Sequence, residues 1–185
     1  MTKKANCKSA IVILQSAPVI RILIAGVGNV LRGDDGFGVA VAQALNGSSH
    51  LPAGVTVFEG GIAGIPLVQE LMDGYDALIV ADAVERGGAP GTIYIIEPDI
   101  ADPASLDPTA LHASLADAHY TEPSKVLVLA KALGVLPPTV VIVGCQPRGY
   151  DELGAELSDE VKSAVRVAHN RIESLIETLN LQQTA

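Results

Sequence analysis

The sequence predicts a three-layer α/β/α sandwich around a mainly parallel twisted sheet of about five strands, one of them antiparallel. Three observations carry this. Short β-branched apolar runs recur along the chain, each closed by Gly, Asp or Pro. Helical stretches alternate with them, the pattern of strand–helix–strand units. The strands are apolar along their whole length rather than at alternate positions, which marks a sheet covered on both faces.

The first strand falls on residues 19–26, where Gly26 closes the run. A helix follows over 36–46, with Val39, Val41, Ala42 and Leu45 on its apolar side and Gly47 just past its end. Residues 54–58 form a second strand, and 65–72 a short helix that tolerates Pro66 in its first turn. Residues 76–82 form a third strand, apolar until Asp82. The turn-rich connector 85–91 is too short to hold a crossover helix, so the strand at 92–97 runs antiparallel. Residues 98–118, rich in Pro, Asp and Ala, read as a long surface loop, and loops of that length in compact domains are commonly functional. A helix at 123–134 ends at Gly134 and the Pro137-Pro138 pair, and a buried strand occupies 139–145. The last helix starts behind the N-cap Ser158 and keeps a 3.6-residue stripe from Val161 to Leu179, with the tail from Asn180 expected to fray. One domain over 19–180 with a flexible extension over 1–18 accounts for the 185 residues.

Composition removes several classes of function. Residues 1–21 carry four basic side chains and no acid, whereas the rest carries 8 basic and 21 acidic ones. A body that acidic repels phosphate backbones, and aromatics at 3% with no Trp leave no platform for stacking bases, so nucleic acid is excluded as a partner. Cys7 and Cys145 are too few for a disulfide framework and form no zinc motif. Apolar runs fall far short of the ~20 residues a membrane helix needs. The five-residue run from Ala10 to Leu14 behind Lys3, Lys4 and Lys8 is shorter than a signal-peptide core. The expectation is a cytoplasmic protein, monomeric and away from membranes.

In sheets of this kind ligands bind at the carboxyl ends of the strands. The first strand leads into Gly26-Val27-Gly28-Asn29 and then Gly33-Asp34-Asp35-Gly36. This fails as a dinucleotide fingerprint because Leu31 stands where the third Gly belongs, and as a phosphate loop because Asp34 and Asp35 replace Lys and Ser/Thr. Two carboxylates at a helix start attract a cation instead. One of them can be an ordinary helix cap, which does not account for both. Asp82 lies at the mouth of the sheet, where an Asp that merely begins a turn is the plainer reading. Of four histidines, His169 is expected to face solvent and His50 sits in a polar loop, leaving His112 and His119 near the long loop. His119 lies just before a helix and could project over the strand ends. Two carboxylates and an imidazole there would suit a first-row divalent metal with positions left open. Cys145 reads as a small buried hydrophobe rather than a nucleophile. The glycines of Glu59-Gly60-Gly61 suit close backbone approach, to a ligand or in a tight turn.

These pieces, together with Ala63-Gly64, Ala81-Asp82-Ala83, Pro90-Gly91-Thr92, Asp117-Ala118-His119 and Val143-Gly144-Cys145-Gln146-Pro147, resemble the nickel-dependent hydrogenase maturation proteases, in family order from about residue 20 to 178. The resemblance implies an aspartic-type endopeptidase that removes a short C-terminal peptide from the precursor of a nickel-iron hydrogenase large subunit after nickel insertion. The family's three metal-contacting positions fall on Asp35, Asp82 and His119, which are then the expected catalytic residues. Some relatives have Glu where Asp35 stands. His112 is the rival for the histidine role, but the spacing from His119 to the next helix fits better. Gly28, Asn29, Asp34, Gly60 and Gly61 are the expected substrate-binding positions. Nickel is expected to arrive with the substrate, the free enzyme holding none. Two rival classes are a nickel-precursor chaperone that does not cut, which peptide release would separate, and a flavodoxin-like cofactor domain, against which the Asp34-Asp35 pair argues.

Overall fold

The computed structural model describes residues 19–48, 51–62, 64–105, 123–149, 153–154 and 156–183. Five strands form one sheet: β1 (Ile22–Val27), β2 (Val55–Gly61), β3 (Ala77–Ala83), β4 (Ile93–Ile96) and β5 (Thr139–Cys145). Their order across the sheet is β2-β1-β3-β5-β4. The pairs of β1 with β2, β1 with β3 and β3 with β5 are parallel, and β4 runs antiparallel to β5. Among the described residues the helices are α1 (Phe37–Asn46), α2 (Gly64–Leu71), α3 (Pro123–Ala132) and α4 (Asp159–Gln183), with single 3-10 turns at Gly33–Gly36 and Pro103–Ser105.

Alternation along the strands divides the core into two layers. Ile22 and Ile24 of β1 and Ala77, Ile79 and Ala81 of β3 pack with Phe37, Val41 and Leu45 of α1 and with Val161, Ala164, Ala168, Ile172 and Ile176 of α4. Leu23, Ala25 and Val27 of β1 and Leu78 and Val80 of β3 pack on the other face, with Leu67, Val68 and Leu71 of α2 and Val126, Leu127 and Ala130 of α3. Both faces of the central strands are dry, which is why their sequences carry no polar alternation. Each fully buried Leu, Ile or Phe contributes about 1.5–3 kcal/mol of transfer free energy.

Observed bounds differ from the sequence reading at several places: β1 begins at Ile22 rather than at 19, and α3 ends at Ala132 rather than at 134. β2 runs on to Gly61, because its last residues pair with the end of β1 across a bulge between Gly26 and Val27. The tail expected to fray from Asn180 stays helical to Gln183, since nothing from Asn180 to Gln183 is a Gly or Pro that would stop it. The long loop expected at 98–118 is irregular over 98–102 and contains the 3-10 turn Pro103–Ser105, and residues 106–118 lie outside the described residues.

The chain leaves β1 through α1 to reach β2 on one side. It then leaves β2 through α2 to reach β3 on the other side of β1. The carboxyl ends of β1 and β3 are therefore the topological switch point, where such sheets open a crevice.

Candidate active site

Two glycines bring the turn after β1 and the start of α1 down onto that crevice. Gly28 has φ +126°, and a Cβ there would stand 1.8 Å from the carbonyl oxygen of Asp35. Gly38 lets α1 rest on the strand ends, since its Cβ would stand 2.1 Å from the Ala81 oxygen and 2.2 Å from the Val27 oxygen. Any side chain at these positions would lift the acidic turn away from β3. The Gly28 amide donates to the Gly61 carbonyl at 3.0 Å, joining the β1 and β2 loops.

Asp34 and Asp35 do different things. Asp34 is 2% exposed and turned into the protein. Its carboxylate accepts from the Arg148 amide at 2.8 Å, the Ser158 amide at 2.6 Å and the Ser158 hydroxyl at 3.0 Å. It thus ties the turn after β1 to the segment between β5 and α4, with charge-assisted bonds that are stronger than neutral ones. Asp35 is partly exposed, and its Oδ2 accepts from the Asn29 amide at 3.1 Å. The Asn29 side chain closes its own turn, its Oδ1 accepting from the Leu31 amide at 2.9 Å. Neither acid caps α1 through its side chain: the cap position is Gly36. The helix-cap explanation therefore accounts for neither carboxylate.

Asp82, at the end of β3, is partly buried beside Asp35. Burial pushes its carboxyl up to about 8, the nearby Asp35 charge adds to the rise, and a hydrogen bond from the Ala83 backbone opposes it. Two carboxylates forced together in a partly dry crevice share a deficit of positive charge. A proton, a cation or a substrate group bearing positive charge would relieve it.

Around this pair the strand ends are braced. Gln146, 3% exposed, accepts through Oε1 from the Arg86 and Gly88 amides at 2.8 and 3.2 Å, and donates through Nε2 to Glu85 at 2.6 Å. It holds the connector between β3 and β4 against the end of β5. The sequence reading used Gln146 only as part of a matching motif; a lone Gln after a strand carries no signal that it is buried. Cys145 is fully buried in the α1/α4 layer, as read from sequence. Burial and the Asp34 charge push its thiol up to about 12, so no thiolate is available.

The structure thus brings Asp35 and Asp82 to one crevice, and sets Gly28 and Asn29 on the turn after β1 and Gly60 and Gly61 at the neighbouring end of β2. Asp34 is drawn into the wall. His119, its rival His112, and also Asp117 and His50 lie outside the described residues. His169, expected to face solvent, has its side chain only 19% exposed, with Nδ1 3.6 Å from Glu173 one helical turn on. Among the described residues, no group of three or more His, Cys, Asp or Glu side chains is placed to hold a metal ion.

An open α/β/α sheet with an acid pair at its switch point offers a crevice that favours a proton or a cation, and the fold alone names no reaction. Comparison with known proteins gives the class. The sequence profile of the hydrogenase maturation proteases matches residues 39–175. The hydrogenase expression/formation protein HoxM of Azotobacter vinelandii is 38% identical over 151 residues, covering 80% of this chain and 70% of the relative. HupD of Rhizobium leguminosarum bv. viciae is 34% identical over 162 residues, covering 88% and 75%. Among solved structures, the hydrogenase maturating endopeptidase HybD from Escherichia coli superposes with a TM-score of 0.67 at 28% identity, covering 86% of this chain and 93% of that one. The chain belongs to the hydrogenase maturation protease family, and is a hydrolase of the endopeptidase class. The profile begins after Asp35 and spans Asp82, so of the acid pair Asp35 alone stands as an observation separate from that match.

Proposed function

We propose that this endopeptidase removes a short C-terminal peptide from the nickel-loaded precursor of a nickel-iron hydrogenase large subunit, with Asp35, Asp82 and His119 meeting the nickel that the substrate carries. The observation that supports this is the carboxylate pair itself. Asp82 is pushed up to about 8 in the neighbourhood of Asp35, so the crevice is short of positive charge before any substrate arrives. Carboxylate oxygens with one imidazole form a mixed donor set suited to a first-row divalent ion. Nickel is here part of the substrate, and the free enzyme needs none of its own.

The three side chains gate the reaction, because a precursor without nickel brings no cation to take the place of the proton that the acid pair holds. One of the two carboxylates takes the proton from the attacking water, a general-base role open to a carboxylate whose affinity for protons is raised toward neutrality. Gly28, Asn29, Gly60 and Gly61 line the approach to the pair and offer backbone groups to the substrate chain. Asp34 contributes by holding the turn. The reaction belongs in the cytoplasm, and the protein acts as a monomer, which its net charge of −9 favours by repulsion between copies.

The test is the intact mass of a nickel-loaded large-subunit precursor before and after mixing with this protein. A loss equal to a short C-terminal peptide, absent with nickel-free precursor, is the expected result. Asp35→Asn, Asp82→Asn and His119→Ala should each abolish that loss while the protein stays folded. Cutting of nickel-free precursor at the same rate would refute the gate, and an active Asp35→Asn protein would remove Asp35 from the reaction.

A further inference from the structure

Four large apolar side chains stand exposed at the carboxyl end of the sheet: Val30 at 57%, Leu31 at 63%, Ile62 at 51% and Leu153 at 81%. They come from three different connections, following β1, β2 and β5, and backbone hydrogen bonds lace those connections together. The Gly28 amide donates to Gly61, the neighbour of Ile62, and the Gly154 amide donates to the Leu31 carbonyl at 2.8 Å, which sets Leu153 beside Leu31. The same turn is pinned to Asp35, since the Asn29 amide donates to Asp35 and the Leu31 amide to Asn29 Oδ1. We infer that Val30, Leu31, Ile62 and Leu153 form an apolar rim that seats apolar side chains of the substrate polypeptide next to the bond that is cut.

Monomeric proteins keep contiguous exposed apolar patches small, and larger ones mark interaction sites. What should cover this one follows from its place. An endopeptidase must hold its substrate chain on both sides of the scissile bond, and the rim is joined through hydrogen bonds to Asp35, one of the carboxylates proposed to do the cutting. A second copy of this chain is a poor occupant, because it would bring another nine negative charges to an acidic body. An anionic lipid surface is disfavoured on the same ground. An apolar stretch of the precursor carries no such penalty. The rim would also keep bulk water out of the crevice once it is covered, which strengthens the electrostatic interactions of Asp35 and Asp82 with whatever they meet.

This inference rests on the proposed function, and the experiment separates the two. The nickel-loaded large-subunit precursor is mixed with wild-type protein, with Leu31→Ser/Ile62→Ser and with Leu31→Met/Ile62→Met, and both cleavage rate and co-elution are measured. The expected result is a KM raised about tenfold in the Ser variant, kcat unchanged within about twofold, and recovery in the Met variant. The melting temperature should not fall, since exposed side chains contribute little to stability. A Ser variant that cuts and co-elutes like wild type overturns the rim and leaves the function standing. Wild type that co-elutes but does not cut refutes the proteolytic reading; the rim then stands or falls on whether the Ser variant loses co-elution. Wild type that neither cuts nor co-elutes overturns both. Wild-type dimers that the Ser variant dissolves, seen by sedimentation, would assign the rim to self-association and overturn the substrate seat.

Discussion

Replacing Asp82 by Asn should stabilise the protein, increasingly so as pH rises from acid to neutral. In the folded chain the Asp82 carboxyl is pushed from 3.8 to about 8, first by burial and then by the Asp35 charge. Between those two values the folded state keeps a proton that the unfolded state has released. Stability therefore falls as pH rises across the window, by about 1.4 kcal/mol per pH unit at most, and is flat above it. The full window gives a ceiling of about 6 kcal/mol. Water reaches the partly exposed crevice and screens the pair, which brings the working value to about 3 kcal/mol. Asn keeps the shape and can still accept from the Ala83 amide, but it carries no charge to desolvate. Urea unfolding of both proteins at pH 5, 7 and 9 should show the variant ahead by about 3 kcal/mol at pH 9, or about 6–12 °C in melting temperature for a chain of this size. The gap should narrow steadily toward pH 5. Asp35→Asn should recover a smaller part of the same gain, since its charge is the second cause. Parallel curves for wild type and Asp82→Asn from pH 5 to pH 9 would refute the reasoning, because no proton would then be linked to folding at this site.

Other substitutions test the rest of the frame. Asp34→Ala removes the acceptor of three hydrogen bonds and strands the Arg148 and Ser158 amides; a loss of about 3–5 kcal/mol is expected by urea unfolding, opposite in sign to Asp82→Asn. Gly38→Ala sets a methyl about 2 Å from two strand carbonyls, so α1 must lift and the protein should lose about 3 kcal/mol together with its activity; unchanged stability would mean that the helix does not rest on β1 and β3. With its thiol pushed up to about 12, Cys145 in a Cys7→Ser background should resist iodoacetamide at pH 8 while folded and react in urea, as mass spectrometry would report.

Element type and order were legible in the sequence because apolar runs, Gly stops and helical periodicity are local signals. The antiparallel β4 followed from arithmetic alone, since the connector 85–91 cannot hold a crossover helix. The two-sided burial of β1 and β3 was written in their unbroken apolar runs. Asp82 could be placed at a strand end, and Asp34 and Asp35 at a helix start, for the same local reason. The motif order that resembled the maturation proteases was likewise a property of the sequence, and the family match bears it out.

The division of labour between Asp34 and Asp35 was decided only by the tertiary structure. The two are neighbours with identical side chains, and no local pattern distinguishes them. What separates them is that Arg148 and Ser158, more than a hundred residues on, supply donors to one and not the other. The burial of Gln146 has the same origin, since its partners lie near residue 86, some sixty positions earlier. The meeting of Asp35 with Asp82, and the collection of Val30, Leu31, Ile62 and Leu153 into one rim, depend on the strand order β2-β1-β3-β5-β4. Strand order is set by which faces the crossovers cover, a long-range packing choice. The sequence therefore determined which residues stood at strand ends, and packing across the sheet determined which of those ends became neighbours.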